Sequence, residues 1–248
     1  MNTIKAVVLA AGKGTRLQTE GVSLPKVLRQ ACQKPLLHYV LEATSFIPPE
    51  DTILVVGYEM DQVLEAFPSY PYAEQKEQLG TGHAVMAARH LLTGEDCPVL
   101  VCYGDMPLLR QETYADLIAS HLAGGGICTV LSGTTHLDLP YGRIVRDQDG
   151  VFVEVVEDRD CTAAQKAIQE LNVGVYVFSS HALLGALGQL KTANSQGEYY
   201  LTDVPAILKA QGCSIDICKV DLGDELIGVN TVEQLVQVEA SLQARGLR

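Results

Sequence analysis

Three positively charged residues follow the first hydrophobic run of the chain, within the stretch VVLAAGKGTRLQTEGVSLPKVL (7–28). Lys13 and Arg16 lie in the glycine-containing segment AAGKGTR, and Lys26 follows a proline that restricts the backbone. Glycines after a strand expose backbone amides that can face phosphate oxygens. Arg grips phosphate through two parallel hydrogen bonds, whereas Lys acts as a point charge. The pattern favours a polyphosphate ligand over a solvated turn, although it is neither a Walker A loop nor G-x-G-x-x-G.

A carboxylate ends the hydrophobic run of VLVCYGDMPLL (99–109). Asp105 at such a strand end is suited to hold a hard cation such as Mg²⁺ beside substrate phosphates. Alternatively it caps the turn or the next helix, but the neighbouring cationic loop favours the metal. Asn230, in IGVNT (227–231), either caps a helix or completes the metal site as a neutral oxygen donor.

The segment QKEQLGTGHAV (75–85) places polar residues before Gly-Thr-Gly at a predicted helix start. Helix N-termini offer free amides and a positive dipole end, although Thr81 also fits a simple N-cap. Gln75 and Gln78 could read a base edge because their amides both donate and accept hydrogen bonds.

A second polar segment, NSQGEYYLTDVPAIL (194–208), ends in a helix start signal, Thr202 or Asp203 before a proline. That signal does not explain GEYY, which puts two aromatic residues and a carboxylate on a loop.

Covalent catalysis is not indicated. The six histidines are scattered without metal-ligand spacing, and no G-x-S-x-G motif occurs. A net charge of -12 argues against nucleic acid and anionic membranes as partners. The residues therefore point to electrostatic handling of small phosphorylated anions.

Short apolar, β-branched runs must position these residues. They occur at 3–10, 52–57, 98–105, 126–133 and 172–178, and helical periodicity occurs at 35–46, 82–92 and 111–123. This alternation predicts an α/β fold whose mostly parallel sheet is covered by helices on both faces and binds ligands at the carboxyl ends of its strands. Residues 141–158 predict a hairpin turning at DQDG, so we expect one domain with a small inserted β-region.

The bulk composition indicates an ordinary globular protein. The 248 residues are 47% hydrophobic and 19% charged, which argues against disorder. The seven cysteines show no C-x-x-C spacing, so free thiols in a reducing compartment are expected. No signal-peptide pattern or apolar run of about 20 residues is seen. We therefore expect a cytoplasmic protein.

Eight segments occur in the order found in one known family: LAAGKGTRL, LPKVL, EQLGTGHA, YGDMPLL, YGRIVRD, IQELNVG, NSQGEYYLTD and GVN. From about Ile4 to about Thr231, the chain resembles the bacterial N-acetylglucosamine-1-phosphate uridylyltransferases, the pyrophosphorylase domain of the bifunctional GlmU proteins. The resemblance implies a Rossmann-like, GT-A-like nucleotide-diphospho-sugar transferase fold. It also implies Mg²⁺-dependent transfer of UMP from UTP to N-acetylglucosamine 1-phosphate, with release of pyrophosphate.

The resemblance assigns roles to individual residues. Arg16 and Lys26 are the implied catalytic residues, which bind the triphosphate and the charge that develops during transfer, and Asp105 and Asn230 are the implied Mg²⁺ ligands. The implied nucleotide-binding residues are Leu9, Ala10, Ala11, Gly12, Gly14, Thr15, Gln75, Gly80, Thr81, Tyr103 and Gly104, and the implied sugar-binding residues are Gly142, Glu157, Asn172, Tyr199 and Thr202.

The chain departs from the family at several points. Val173 stands near the sugar pocket where many relatives have Thr, and QKP (33–35) replaces the commoner GKP. We expect a nucleotidyltransferase domain at 1–231 and a C-terminal helix at 232–248, where a linker to the family's left-handed β-helix acetyltransferase domain would begin. The chain is then a truncated form or a stand-alone enzyme, without acetyl transfer in either case. Because the β-helix is the family's trimerisation element, a monomer or weak dimer is expected.

Two other functions fit parts of the pattern. One is another sugar-1-phosphate nucleotidyltransferase, which makes a UDP- or dTDP-hexose. Such enzymes usually contain the motif GGxGTRLxP, whereas this chain contains AAGKGTRLQ. A catalytically silent nucleotide-sugar-binding subunit has no need to retain its charged residues. The joint presence of Arg16, Lys26, Asp105 and Asn230 argues against that second alternative.

Overall fold

The computed structural model describes residues 3–17, 23–94, 96–135 and 139–247. Within these residues, eleven strands and eight α-helices alternate along the chain. Strands β1–β11 are Lys5–Leu9, Gln30–Ala31, Lys34–Pro35, Thr52–Val56, Tyr72–Glu74, Pro98–Tyr103, Cys128–Thr134, Arg143–Arg146, Phe152–Val156, Leu171–Ser179 and Ile215–Asp221. Helices α1–α8 are Leu36–Ala43, Met60–Ala66, Thr81–Ala87, Gln111–Ala123, Ala163–Lys166, Ser180–Leu187, Val204–Ala210 and Val232–Ala244.

A central sheet runs in the order β11-β7-β10-β6-β1-β4-β5. The pairs β1–β4, β1–β6, β4–β5 and β7–β11 are parallel. Strand β10 is antiparallel to both of its neighbours, β6 and β7. The prediction of a mostly parallel α/β sheet is therefore confirmed, with β10 as the exception.

Helices cover both faces of this sheet. Residues of α1, α2 and α4 pack on one face, and residues of α3, α6 and α7 pack on the other. Burial on both faces explains why β4 and β10 consist of buried residues throughout instead of alternating with polar ones. The predicted helix at 82–92 is shorter than expected: α3 ends at Ala87, and a 3₁₀ turn, Arg89–Leu91, follows.

The inserted β-region is the antiparallel hairpin of β8 and β9. At its turn, the Gly150 N–H donates to the Asp147 carbonyl (3.0 Å), with φ of 77° at Gly150. Strand β8 joins the central sheet at the register pair Leu171 and Arg143. The predicted hairpin that turns at DQDG is therefore confirmed, and it extends the sheet on the side of β10.

Helix α8 begins with a capping box formed by Thr231 and Gln234. Its buried residues, Val238 and Leu242, pack in a third apolar cluster with Leu36 of α1. The helix thus docks on the body of the protein, and the division at residue 231 stays a prediction.

All seven cysteines are free, as expected. Among the described residues, no helix combines the length and apolar character that crossing a bilayer requires.

Candidate active site

Two adjoining cavities open beyond the carboxyl ends of β1 and β6. We call the first, of about 290 Å³, the glycine-loop cavity, and the second, of about 240 Å³, the insert cavity. Both are lined by Lys26, Tyr103 and Asp105, so these three residues mark the boundary between them.

Most residues implied by the family resemblance line one of the two cavities. The glycine-loop cavity is lined by Leu9, Ala11, Gly12, Lys26, Gln75, Gly80, Thr81, Tyr103 and Asp105. The insert cavity is lined by Lys26, Tyr103, Asp105, Gly142, Glu157, Asn172 and Asn230. The remaining predicted residues, Ala10, Gly14, Thr15, Arg16, Gly104, Tyr199 and Thr202, are not among the lining residues of either cavity.

Lys26 lies between the two predicted metal ligands. Its ammonium donates hydrogen bonds to the Asp105 carboxylate and, at 3.0 Å, to the Asn230 side-chain oxygen. The Lys26 and Asp105 side chains are only 16% and 13% exposed, so this ion pair is largely shielded from water. The oxygens of Asp105 and Asn230 thus converge on one cationic group at the boundary of the cavities.

Neither of these two residues is the N-cap of the helix that follows it. The N-cap residue of α8 is Thr231 rather than Asn230, and that of α4 is Arg110 rather than Asp105. No group of three or more His, Cys, Asp or Glu side chains with metal-binding geometry is found among the described residues. A cation held here would therefore take its other ligands from substrate phosphates and water.

The glycine loop folds closely over the stem of Lys26. Gly14 has φ of 63°, and a Cβ on it would lie 2.7 Å from Cβ of Lys26. Glycine is required there because both the backbone conformation and the space exclude a side chain. Although Gly14 lines neither cavity, it packs against Lys26, one of the three residues that line both.

Gln75 and Gln78, which line the glycine-loop cavity, form hydrogen bonds with other residues that line it. The Gln75 amide nitrogen donates to the Gly80 carbonyl (3.1 Å) and lies 3.3 Å from Nδ1 of His83. The Gln78 amide donates to the Ala11 carbonyl (2.7 Å). These contacts use the Gln75 amide nitrogen, so the amide oxygen is the atom of this side chain that can accept a hydrogen bond from a ligand.

Thr81 does not cap its own helix, contrary to the simple N-cap interpretation. The N-cap residue of α3 is Gly80, and the Thr81 hydroxyl accepts from the Leu201 N–H (3.0 Å). The Gly82 N–H donates in turn to the Tyr199 carbonyl (2.8 Å). The GEYY loop is thereby fixed against the start of α3, and its Glu198 lines the glycine-loop cavity.

Strand β10 supplies the wall of the insert cavity. The Asn172 side chain is hydrogen-bonded to the hydroxyl of Tyr176 (2.8 Å), and its backbone N–H donates to the Gly142 carbonyl (2.8 Å). Gly174 has φ of 82°, and a Cβ there would lie 2.4 Å from Cε2 of Tyr103. The Tyr103 ring can stand between the two cavities because residue 174 has no side chain.

Two half-buried carboxyl groups, those of Glu157 and Asp203, lie close to this strand. Burial raises the pKa of Glu157, and the Thr202 hydroxyl partly offsets this rise, while nearby acidic groups, Asp203 first, add to it. Burial also raises the pKa of Asp203, with a further contribution from Asp160. A neutral polar ligand such as a sugar, which donates hydroxyl hydrogens, suits this acidic side of the cavity better than a second phosphate does.

Arg16 is the predicted catalytic residue that the structure does not bring to the boundary of the cavities. It lies exposed on the 3₁₀ turn Thr15–Leu17, just before residues 18–22, which are outside the described residues. It forms no ion pair with any residue that the structure describes. Lys13 lies in the same loop, with Nζ 5.0 Å from the centre of the Tyr58 ring. The catalytic role of Arg16 stays a prediction.

The sequence did not single out Tyr141, Gly174 or Gly228, which also line the insert cavity. A signal for the first existed, because Tyr141 directly precedes the predicted sugar contact Gly142. The two glycines lie within the family segments IQELNVG and GVN, but their need for glycine could not be recognised, since the groups that crowd them come from distant segments.

Comparison with known proteins gives one consistent result. Residues 6–205 match the MobA-like NTP transferase domain family. The chain is 42% identical over 242 residues to the bifunctional protein GlmU of Clostridium novyi, and 42% identical over 241 residues to that of Lactococcus lactis subsp. cremoris. Each alignment covers 97% of this chain and 52% of the relative, so the chain spans about half the length of the curated relatives it matches. The expected resemblance to GlmU proteins is confirmed.

Proposed function

The chain belongs to the MobA-like NTP transferase domain family, and from this premise we propose that it transfers UMP from UTP to N-acetylglucosamine 1-phosphate. The products are UDP-N-acetylglucosamine and pyrophosphate. The observation that carries the proposal is the meeting of two cavities at Lys26 and Asp105. Two phosphorylated substrates placed in these cavities would bring their phosphates together at that boundary.

The proposed step is an in-line displacement. A phosphate oxygen of the sugar phosphate attacks the α-phosphorus of UTP, the bond to the β-phosphate breaks, and pyrophosphate leaves with the electron pair. The attacking oxygen is already ionised at neutral pH, so no general base is required. The enzyme must instead hold two anions in contact and stabilise the leaving group. The position of the Lys26 ammonium supports that role.

Asp105 and Asn230 are proposed to hold Mg²⁺. Their side-chain oxygens converge on the Lys26 ammonium, which shows that the geometry accommodates a positive charge. One carboxylate and one amide oxygen are hard donors of the kind that Mg²⁺ takes when substrate phosphates complete its coordination. When bound, the ion would neutralise charge on the phosphates that transfer and leave.

The glycine-loop cavity is proposed to bind the uridine nucleotide. Leu9 to Gly12 contribute backbone groups, and the free amide oxygen of Gln75 can accept from N3–H of uracil, which cytosine lacks. Gly14, Thr15 and Gly104 would act by shaping the loops around it, and Arg16 is proposed to bind the triphosphate.

The insert cavity is proposed to bind the sugar phosphate. Gly142, Glu157 and Asn172 line it, and Thr202 lies beside Glu157. Val173 also lines this cavity and is buried in the apolar core, close to the region where the acetamido group is expected. Tyr199 would contribute through the loop that its carbonyl fixes to α3.

The test is pyrophosphate release from UTP and Mg²⁺, with N-acetylglucosamine 1-phosphate and glucose 1-phosphate run side by side. We expect a strong preference for the acetamido sugar and loss of release in the Asp105→Asn variant. Preference for glucose 1-phosphate would assign the protein to another branch of sugar nucleotidyltransferases. Nucleotide binding without pyrophosphate release from either sugar would contradict the enzymatic proposal.

The same proposal includes action in the cytoplasm by a monomer or weak dimer whose catalytic domain is residues 1–231. Mass from light scattering tests the oligomeric state, and a stable trimer would contradict it.

A further inference from the structure

One phenol group joins the insert to the segment that carries Asn230. The Tyr141 hydroxyl donates to the Leu226 carbonyl (2.6 Å) and accepts from the Gly228 N–H (2.9 Å). Both hydrogen bonds span more than 80 residues of sequence, and burial raises the pKa of the phenol, so it stays protonated as a donor. A side chain at residue 228 would collide with this hydroxyl, since a Cβ there would lie 2.9 Å from it.

The segment 226–230 leads directly to the proposed cation site. The Val229 N–H donates to the backbone carbonyl of Asp105 (2.9 Å), and the Asn230 N–H donates to the side-chain oxygen of Gln234 in α8 (2.7 Å). The segment is therefore held at its start by Tyr141, in its middle by Asp105 and at its end by Gln234. Among these three tethers, Tyr141 is the one that comes from the insert.

We infer that Tyr141 is a positioning residue for Asn230. Its hydroxyl sets the path of residues 226–228 and so the distance between the Asn230 oxygen and the Asp105 carboxylate. This inference rests on the proposed function, because its readout is the cation that these two oxygens would hold.

Tyr141 also lies where the sugar phosphate is proposed to bind. Its ring lines the insert cavity, and its neighbour Gly142 is hydrogen-bonded through its carbonyl to Asn172. A sugar phosphate in the insert cavity would therefore contact Tyr141, the same residue that positions Asn230.

The variant Tyr141→Phe removes the hydroxyl and keeps the ring. The experiment measures the dissociation constant of Mn²⁺ by electron paramagnetic resonance, in the presence of UTP, for the wild type, Tyr141→Phe, Asn230→Ala and the double variant. Two backbone hydrogen bonds are lost, so we expect about a tenfold weaker Mn²⁺ affinity in Tyr141→Phe. In the Asn230→Ala background the same change should have no further effect on affinity.

Tyr39→Phe is the matched control. The Tyr39 hydroxyl also donates to a backbone carbonyl, that of Ala31 (2.7 Å), but Tyr39 lines neither cavity. This variant should lose comparable thermal stability and keep wild-type Mn²⁺ affinity. Excess Mg²⁺ should restore kcat in Tyr141→Phe, which a general structural defect would not allow.

Each contrary result has a separate meaning. Unchanged Mn²⁺ affinity in Tyr141→Phe, with weaker affinity in Asn230→Ala, would overturn the inference and leave the proposed cation site intact. If Tyr141→Phe weakens Mn²⁺ affinity by the same factor in the wild type and in Asn230→Ala, the inference is also overturned. The effect of Tyr141 on the cation would then not depend on Asn230. Unchanged affinity in Asn230→Ala would overturn both the cation site and the inference.

Discussion

Replacing Lys26 by Met should tighten the binding of a divalent cation in the absence of nucleotide. The Lys26 ammonium donates to both Asp105 and Asn230, so a cation that binds these oxygens must first displace it. Met keeps an unbranched stem that can still pack against Gly14, but it carries no charge. The variant thus removes the competing charge while it preserves the fit of the loop.

The size of the effect follows from the environment of the ion pair. Two unit charges about 4 Å apart interact with about 4 kcal/mol at an effective dielectric constant of about 20. The two side chains are 16% and 13% exposed, so water screens the pair only partly. Part of the Coulomb energy offsets the cost of removing the charges from water. We therefore expect the ammonium to oppose cation binding by a net free energy of about 1.4 to 2.8 kcal/mol. Its removal in Lys26→Met should then raise the cation affinity about ten- to hundredfold.

The assay is titration with Mn²⁺, followed by electron paramagnetic resonance, without nucleotide. The control is Lys13→Met, because the Lys13 ammonium lies over the Tyr58 ring and lines neither cavity. Lys13→Met should bind Mn²⁺ as the wild type does. If Lys26→Met binds Mn²⁺ no more tightly than the wild type, Lys26 does not compete for the cation ligands and the reasoning is refuted.

Three further outcomes are expected. Arg16→Ala should lower kcat by about a hundredfold or more in the pyrophosphate-release assay, and a near-normal kcat would remove Arg16 from the proposed machinery. Gly174→Ala should destabilise the fold by about 2 kcal/mol or more, measured by urea denaturation, because its Cβ would lie 2.4 Å from the Tyr103 ring. Burial raises the folded-state pKa of Glu157 above its ordinary 4.5, so the folded state binds this proton more tightly than the unfolded state. The stability of the wild type relative to Glu157→Gln should therefore fall as pH rises from 4.5 through the raised pKa, and urea denaturation between pH 4 and 7 would show no trend if this cause is wrong.

The position of Lys26 and Asp105 followed from local sequence patterns. Asp105 closely follows β6, and the segment that leads to Lys26 follows β1, whose parallel pairing with β6 brings the two strand ends together. The rule that ligands bind at the carboxyl ends of parallel strands was enough to place both residues at one site. Asn230 was harder, because the local pattern was equally consistent with a helix cap, and Thr231 takes that role.

Other features depended on contacts that leave no local pattern. Strand β10 reads as one more buried strand, and neither its antiparallel direction nor its place between β6 and β7 follows from periodicity. The hydroxyl of Tyr141 binds backbone groups, which every residue possesses, so its partners cannot be recognised from residue types. The strict need for glycine at 174 arises from the Tyr103 ring, which lies about 70 residues away in sequence.

The net charge of -12 makes the boundary of the cavities the decisive place for binding. An acidic protein repels phosphorylated ligands such as the two proposed substrates at long range, so local cations must supply the attraction. In the unliganded protein, the charge of Lys26 is balanced by Asp105, and this pair attracts phosphate weakly. A divalent cation at the proposed Asp105 site would displace the Lys26 ammonium, and both positive charges could then face the phosphates. Cation and nucleotide should therefore bind cooperatively in the wild type, and this cooperativity should be smaller in Lys26→Met, where no ammonium is released.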